Sequence, residues 1–147
     1  MNLFNLKTTS ITVERDIATA PEAIFDAWLD CDSRGSPWHG VAAILQPVMD
    51  GLFYRMHNAA QGDYELAHYG RFVALERPAL MRYTWVSQHT RGLESVVTMT
   101  LEPRGGGTHV VIRHDGLPDD EKGRMHEAGW SHCLGQLQAA MTEEATQ

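Results

Sequence analysis

The C-terminal part of the chain carries the pattern that most limits its fold. Trp130, Cys133, Leu134, Leu137 and Met141 fall at i, i+3, i+4, i+7 and i+11, one continuous apolar stripe on a helix. Pro118 opens that element, and Asp119, Asp120 and Glu121 put negative charge where a helix N-terminus is positive. The spacing predicts a helix to about Glu144, roughly 26 residues and ~39 Å at the usual rise per residue. Met125 and Ala128 extend the flank of the stripe, and Gly129 is expected to let another element approach closely. A stripe of this length must lie on an apolar surface, and most of the preceding chain reads as strands.

The first strand spans Ser10 to Ala18, where Ile11, Val13 and Ile17 alternate with Thr12, Glu14 and Asp16. Thr19-Ala20-Pro21-Glu22 then reads as a capping box for a helix to about Asp30, with Ile24, Ala27 and Trp28 on its apolar face. Cys31 to Gly40 is loop-like. Strands are expected over Val41–Val48, Leu52–His57, Tyr64–Leu75, Leu80–Val86, Glu94–Leu101 and Thr108–His114. Asp50-Gly51 and Glu76-Arg77-Pro78-Ala79 read as turns, and Asn58 to Asp63 as a polar loop. Gly105-Gly106-Gly107 is read as a hairpin turn, because a phosphate loop would lead into a helix and here a strand follows. Short strands joined by short turns imply an α+β fold with a meandering antiparallel sheet of six to seven strands. Curled around the long C-terminal helix, that sheet forms one domain with its core over residues 10–145. The space between helix and sheet becomes a packed core or a cavity for a small molecule.

A length of 147 residues suits one domain. With 12 Lys+Arg against 19 Asp+Glu, the net charge of −7 disfavours nucleic acid and anionic membrane surfaces as partners. No apolar run reaches the roughly 20 residues of a membrane-spanning helix, and the N-terminal residues lack the pattern of a secretory signal. Two cysteines, Cys31 and Cys133, are too few for a disulfide framework, so a reducing cytoplasm is the expected location.

Alternation assigns the pocket-facing residues. Met81, Tyr83 and Trp85 share one side of their strand, as do Val97, Met99 and Leu101 on the next and Val110, Ile112 and His114 on the last. On the earlier strand Tyr54, with Leu52 and Met56, is one candidate set, while Phe53, Arg55 and His57 are the other. Trp130, Leu134, Leu137 and Met141 face them from the helix. The expected ligand-binding set is therefore Tyr54, Met81, Tyr83, Trp85, Val97, Met99, Val110, Ile112, His114, Trp130, Leu134, Leu137 and Met141. Its methionines suit an adaptable pocket.

Chemistry-bearing patterns are sparse. His126 and His132 are six apart on a helix, and His109 and His114 five apart on a strand, so each pair is expected on different faces. No HxxxH, HExxH or CxxC spacing occurs, and no metal or cofactor is expected. Ser95 and Ser131 have no recognisable base beside them in sequence, and no catalytic residue is assigned. Arg55, Arg71 and Arg82 are the cations that could turn inward and hold a ligand carboxylate, or else face solvent from the outer side of the sheet.

Several segments together resemble a known family. They are Gly70-Arg71-Phe72-Val73-Ala74-Leu75-Glu76-Arg77-Pro78 with Arg82-Tyr83-Thr84-Trp85, then Glu94 to Pro103 with Gly105-Gly106-Gly107-Thr108. His114-Asp115-Gly116-Leu117-Pro118-Asp119 and Gly129-Trp130 with Leu134 and Leu137 complete the set. From Ile11 to about Met141 the chain resembles the family named for activators of the Hsp90 ATPase, in the START-like (SRPBCC, birch-pollen-allergen) superfamily. The resemblance implies a helix-grip fold. It also implies a choice of roles: a small hydrophobic ligand-binding domain, a chaperone-associated interaction module, or a cyclase- or dehydratase-type enzyme. A homodimer is a further expectation. Where many relatives carry a double Trp before a Gly-Pro, this chain has Ser36-Pro37-Trp38-His39-Gly40.

Overall fold

A computed structural model of the chain describes residues 6–58 and 65–145. The elements run β1 (Thr8–Ile17), α1 (Pro21–Trp28), β2 (Ala42–Leu45), β3 (Leu52–Asn58) and β4 (Glu65–Glu76). They continue with β5 (Leu80–Ser87), β6 (Ser95–Arg104), β7 (Gly107–Pro118), α2 (Glu121–Arg124) and α3 (His126–Ala145). Most of the expected polar loop Asn58 to Asp63 lies outside the described residues. The strands form one antiparallel sheet in the order β1-β7-β6-β5-β4-β3-β2. Every strand from β2 onward pairs with its neighbour in sequence, and β1 closes onto β7. The glycine run makes the β6–β7 hairpin: Arg104 pairs with Gly107, and Gly105 and Gly106 take positive φ of 58° and 84°. Two-residue turns of that handedness match the twist of the flanking strands.

The helix α3 lies along β1 and meets α1. Four of the five stripe residues are buried, Trp130, Leu134, Leu137 and Met141 being at most 3% exposed, while Cys133 is half-buried. Each such side chain contributes about 1.5–3 kcal/mol of burial. The concave face of the sheet supplies Met81, Tyr83, Val97, Met99, Val110 and Ile112, all fully buried. Cys31 and Cys133 are free thiols.

Some local expectations change. The capping box at Thr19 does not form. Ala20 is the N-cap and makes no side-chain bond, while the Thr19 backbone is committed to a turn that hydrogen-bonds Ile17 and the Thr108 hydroxyl. The C-terminal helix begins at Glu121 rather than Pro118, because β7 extends to Pro118 to pair with Thr8. Asp120 caps it, its carboxylate accepting from the Gly123 N–H at 2.8 Å. The helix is interrupted at Met125, which is exposed together with Ala128 instead of flanking the core. No element crowds Gly129 either: a Cβ there would meet open space. Gly129→Ala is therefore expected to stabilise the protein by about 0.5–1 kcal/mol, the helix-propensity difference, read as a higher urea midpoint.

Candidate functional site

The interior that the sequence leaves as core or cavity is filled along its middle. Trp38, from the loop after α1, is 1% exposed and packs between sheet and helix. Its ring meets Phe53 at 5.1 Å and Tyr83 at 5.8 Å, both edge-on, and Phe72 and Trp28 complete the aromatic packing. Such pairs add about 0.5–1.5 kcal/mol each beyond their burial. Burial pushes the Tyr83 phenol well above its ordinary pKa.

At one end of this core His114 joins four elements. The Trp130 indole N–H, from α3, donates to His114 Nδ1 at 2.9 Å. His114 Nε2 lies 2.7 Å from Ser95 Oγ on β6. That hydroxyl donates onward to the Trp85 carbonyl on β5 at 2.6 Å. With Nδ1 accepting, the proton of the neutral ring must sit on Nε2. The relay therefore runs Trp130 → His114 → Ser95 → Trp85, each donor with one acceptor. Burial is the main reason His114 titrates far below its ordinary value, at about 2, and the neighbouring His126 adds to the effect.

Ser95 thus does have a histidine beside it, a pair hidden by their separation in sequence. Its polarity is the reverse of a nucleophile–base pair. A general base needs a free lone pair on the nitrogen facing the hydroxyl and a partner accepting at the other nitrogen. Here the facing nitrogen carries the proton and the other nitrogen receives one. Both residues are also buried, Ser95 at 1% and His114 at 0% exposure. The relay is structural: it fixes the Trp130 indole and the Trp85 main chain, and the two indole rings stand 4.9 Å apart.

Those two rings wall a cavity of about 250 Å³. Leu66, Pro37 and Met125 add apolar surface, and Gly129 borders it. Polar groups converge on the same space: Arg55 from β3, His68 from β4, His89 after β5, Lys122 from α2, and His126, His132 and Cys133 from α3. The His68 ring lies 4.8 Å from that of Trp85. His126 Nδ1 sits 3.0 Å from the Gly123 carbonyl, which holds the ring in place. Burial lowers the pKa of both His89 and His126 and raises that of the Cys133 thiol. Among the described residues no group of three His, Cys, Asp or Glu could hold a metal ion.

Of the residues expected to line a pocket, Trp85 and Trp130 do so, and His114 stands directly behind them. Met81, Tyr83, Val97, Met99, Val110, Ile112, Leu134, Leu137 and Met141 are packed core. Tyr54 belongs to the other face: Phe53 is the buried residue of β3, so Phe53 and Arg55 point inward and Tyr54 outward. Arg71 and Arg82 also face out, meeting Asp50 and Thr98. His126 and His132 both border the cavity despite their spacing, because it spans the first turns of α3. Sequence reasoning passed over Leu66, His68, His89 and Lys122, and only alternation with Arg55 across the β3–β4 ladder could have flagged His68.

On the outer face Ile44, Tyr54 and Tyr69 lie opposite one another across β2, β3 and β4. Ile44 is 68% exposed, Leu52 beside them 58% and Tyr69 49%, an apolar strip facing solvent.

Among the described residues no helix is long and apolar enough to cross a membrane. None of the curated proteins matches the chain. Solved structures do. The Chromobacterium violaceum protein CV1439 is 24% identical with a TM-score of 0.72, over 89% of this chain and 96% of that one. Mll3558 from Rhizobium loti is 18% identical with a TM-score of 0.76, over 92% and 99%. PFC0360w, described as an HSP90 activator from Plasmodium falciparum, is 18% identical with a TM-score of 0.71, over 90% and 96%. At these identities the likeness establishes the helix-grip architecture. Residues 18–142 match the family model described as Activator of Hsp90 ATPase homolog 1-like protein, and the chain belongs to that family.

Proposed function

We propose that the protein binds a small molecule in the cavity at the end of the grip, between α3 and the β3–β5 half of the sheet. The observation that carries this reading is the pairing of two indole walls with converging polar groups in one recess, the usual make-up of a ligand site. Its volume, about 250 Å³, lies below the range of drug-sized pockets and favours a compact ligand. The relay through His114 fixes the Trp130 indole and the Trp85 main chain before a ligand arrives, which lowers the ordering cost of binding. A thermal-shift screen of compact amphipathic molecules tests it. A ligand at a hundred times its Kd is expected to add about 2.7 kcal/mol of stability. The same compound should shift Trp85→Leu less. A screen in which no compound raises the melting temperature overturns the proposal.

A second reading rests on the outer strip of Ile44, Leu52, Tyr54 and Tyr69 and on a structural relative described as an HSP90 activator. It is a module that docks on an Hsp90-type chaperone. Stimulation of that chaperone's ATPase, lost in Ile44→Asp, supports this reading, and an unchanged ATPase rate removes it.

A further inference from the structure

We infer that the cavity takes the carboxylate of a compact organic acid, with the Arg55 guanidinium as its anchor and the indoles of Trp85 and Trp130 against its apolar body. The inference rests on the cavity reading above and adds the chemical class of the ligand.

Arg55 differs from the other arginines in its surroundings. Arg77 holds Asp26 at 2.8 and 2.9 Å, Arg71 holds Asp50 and Arg124 holds Asp119, all near the surface. Arg55 instead points inward from β3. Among the described residues it meets no carboxylate: its nearest polar partner is His68 Nδ1 at 3.5 Å, the limit of hydrogen-bond reach, and its Nε has no acceptor. A guanidinium cannot shed its proton to escape burial. It therefore carries a desolvation cost that only an anion can offset well. Arg55 borders the cavity, and a guanidinium with no carboxylate beside it among the described residues calls for a group that only accepts.

A carboxylate fits this requirement. It is acceptor-only when ionised and matches the guanidinium fork with two parallel bonds. One inward arginine suits one negative charge. The flanking rings of Trp85, Trp130 and His68 suit an aromatic body, whereas an alkyl chain would use the same walls without stacking.

Matched pairs separate the charge from the shape. Binding of 1-naphthaleneacetic, phenylacetic and decanoic acids and of their primary amides is measured by calorimetry at pH 7.5. At least one acid is expected to bind about tenfold tighter than its amide, the usual worth of a charge-assisted bond. Arg55→Gln should erase that ratio by weakening the acid far more than the amide, and Arg55→Lys should restore part of it. A decanoate preference would assign an alkyl acid, and a naphthaleneacetate preference an aromatic one. Equal acid and amide binding in the wild type overturns the inference but leaves the cavity reading standing. Binding of neither member of any pair overturns the inference, and the ligand screen then decides the cavity reading separately. The wild-type ratio decides the matter even if an Arg55 variant fails to fold.

Discussion

His114→Ala is expected to destabilise the protein by about 3 to 5 kcal/mol and to lower the melting temperature by about 10 °C or more. The imidazole is fully buried and serves two partners. Its removal leaves the Trp130 indole N–H without an acceptor, takes a donor from Ser95, and opens a void beside Trp85. Against a total stability of roughly 5–15 kcal/mol for a domain, this is a large share. Trp130→Phe alone should cost about 1–3 kcal/mol for the acceptor it strands. In the His114→Ala background it should cost much less, because the bond is already gone. Additive losses in that double-mutant cycle, followed by urea unfolding, would show that the two residues act by packing alone.

The same ring sets a pH dependence. In the unfolded chain His114 takes a proton near pH 6.5, whereas in the fold it does so only at about 2. Between those values the unfolded state binds the extra proton, so stability rises with pH across this window. Above it the group contributes no slope. Each unit of acidification below 6.5 should therefore remove up to ~1.4 kcal/mol through this residue, with His126 and His89 adding in the same direction. The lowered carboxylates Asp26 and Asp120 act only below their unfolded value near 4. Urea melts between pH 4.5 and 6.5 thus isolate the histidines. His114→Ala should flatten that slope by about one proton, and an unchanged slope would rule out His114 as its source.

Where local periodicity decides, the chain is legible before any coordinates. The α3 stripe is repeated by a spacing that only a helix satisfies, and the inward sets on β5, β6 and β7 follow from alternation beside a filled core, although on β5 Thr84, Val86 and Ser87 of the other side are buried too. The cavity is a different matter. Its position depends on Trp38, a loop residue whose insertion into the grip has no periodic signature, and which fills the very space where a ligand is expected. Arg55 depends on the facing of β3, whose outer side, with Leu52, Tyr54 and Met56, is in sequence the more apolar of the two. Packing of Phe53 against Trp38 and Tyr83 settles it, and that is a tertiary fact. The Ser95–His114–Trp130 relay joins three elements in one register that no spacing in sequence encodes. Fold class therefore follows from patterns within elements, while the site follows from where the elements meet.

Gly70→Ala tests the close approach of β4 to β5. Gly70 lies on β4 between the Tyr69–Val86 and Phe72–Tyr83 pairs, which share one register, shortly before the bulge in the ladder to β5 between Phe72 and Ala74. There the Arg71 N–H donates to the Thr84 hydroxyl rather than to a backbone carbonyl. A Cβ on Gly70 would stand 2.0 Å from the Thr84 carbonyl oxygen and 2.8 Å from Phe53 Cε1. The first obstacle is backbone, so no rotamer relieves it, and β4 must move away from β5. That movement would disturb Phe53 in the aromatic core and Trp85, next to Thr84, in the cavity wall. The expected loss is about 3 kcal/mol, the upper part of the range for overpacking, together with weaker binding of any cavity ligand. Phe53→Leu in the Gly70→Ala background should not rescue it, since the backbone clash persists. Gly129→Ala makes the same chemical change in the same chain and should shift the urea midpoint the opposite way. If Gly70→Ala kept the wild-type midpoint, the close approach of β4 to β5 could not be what holds the sheet in its curve around α3.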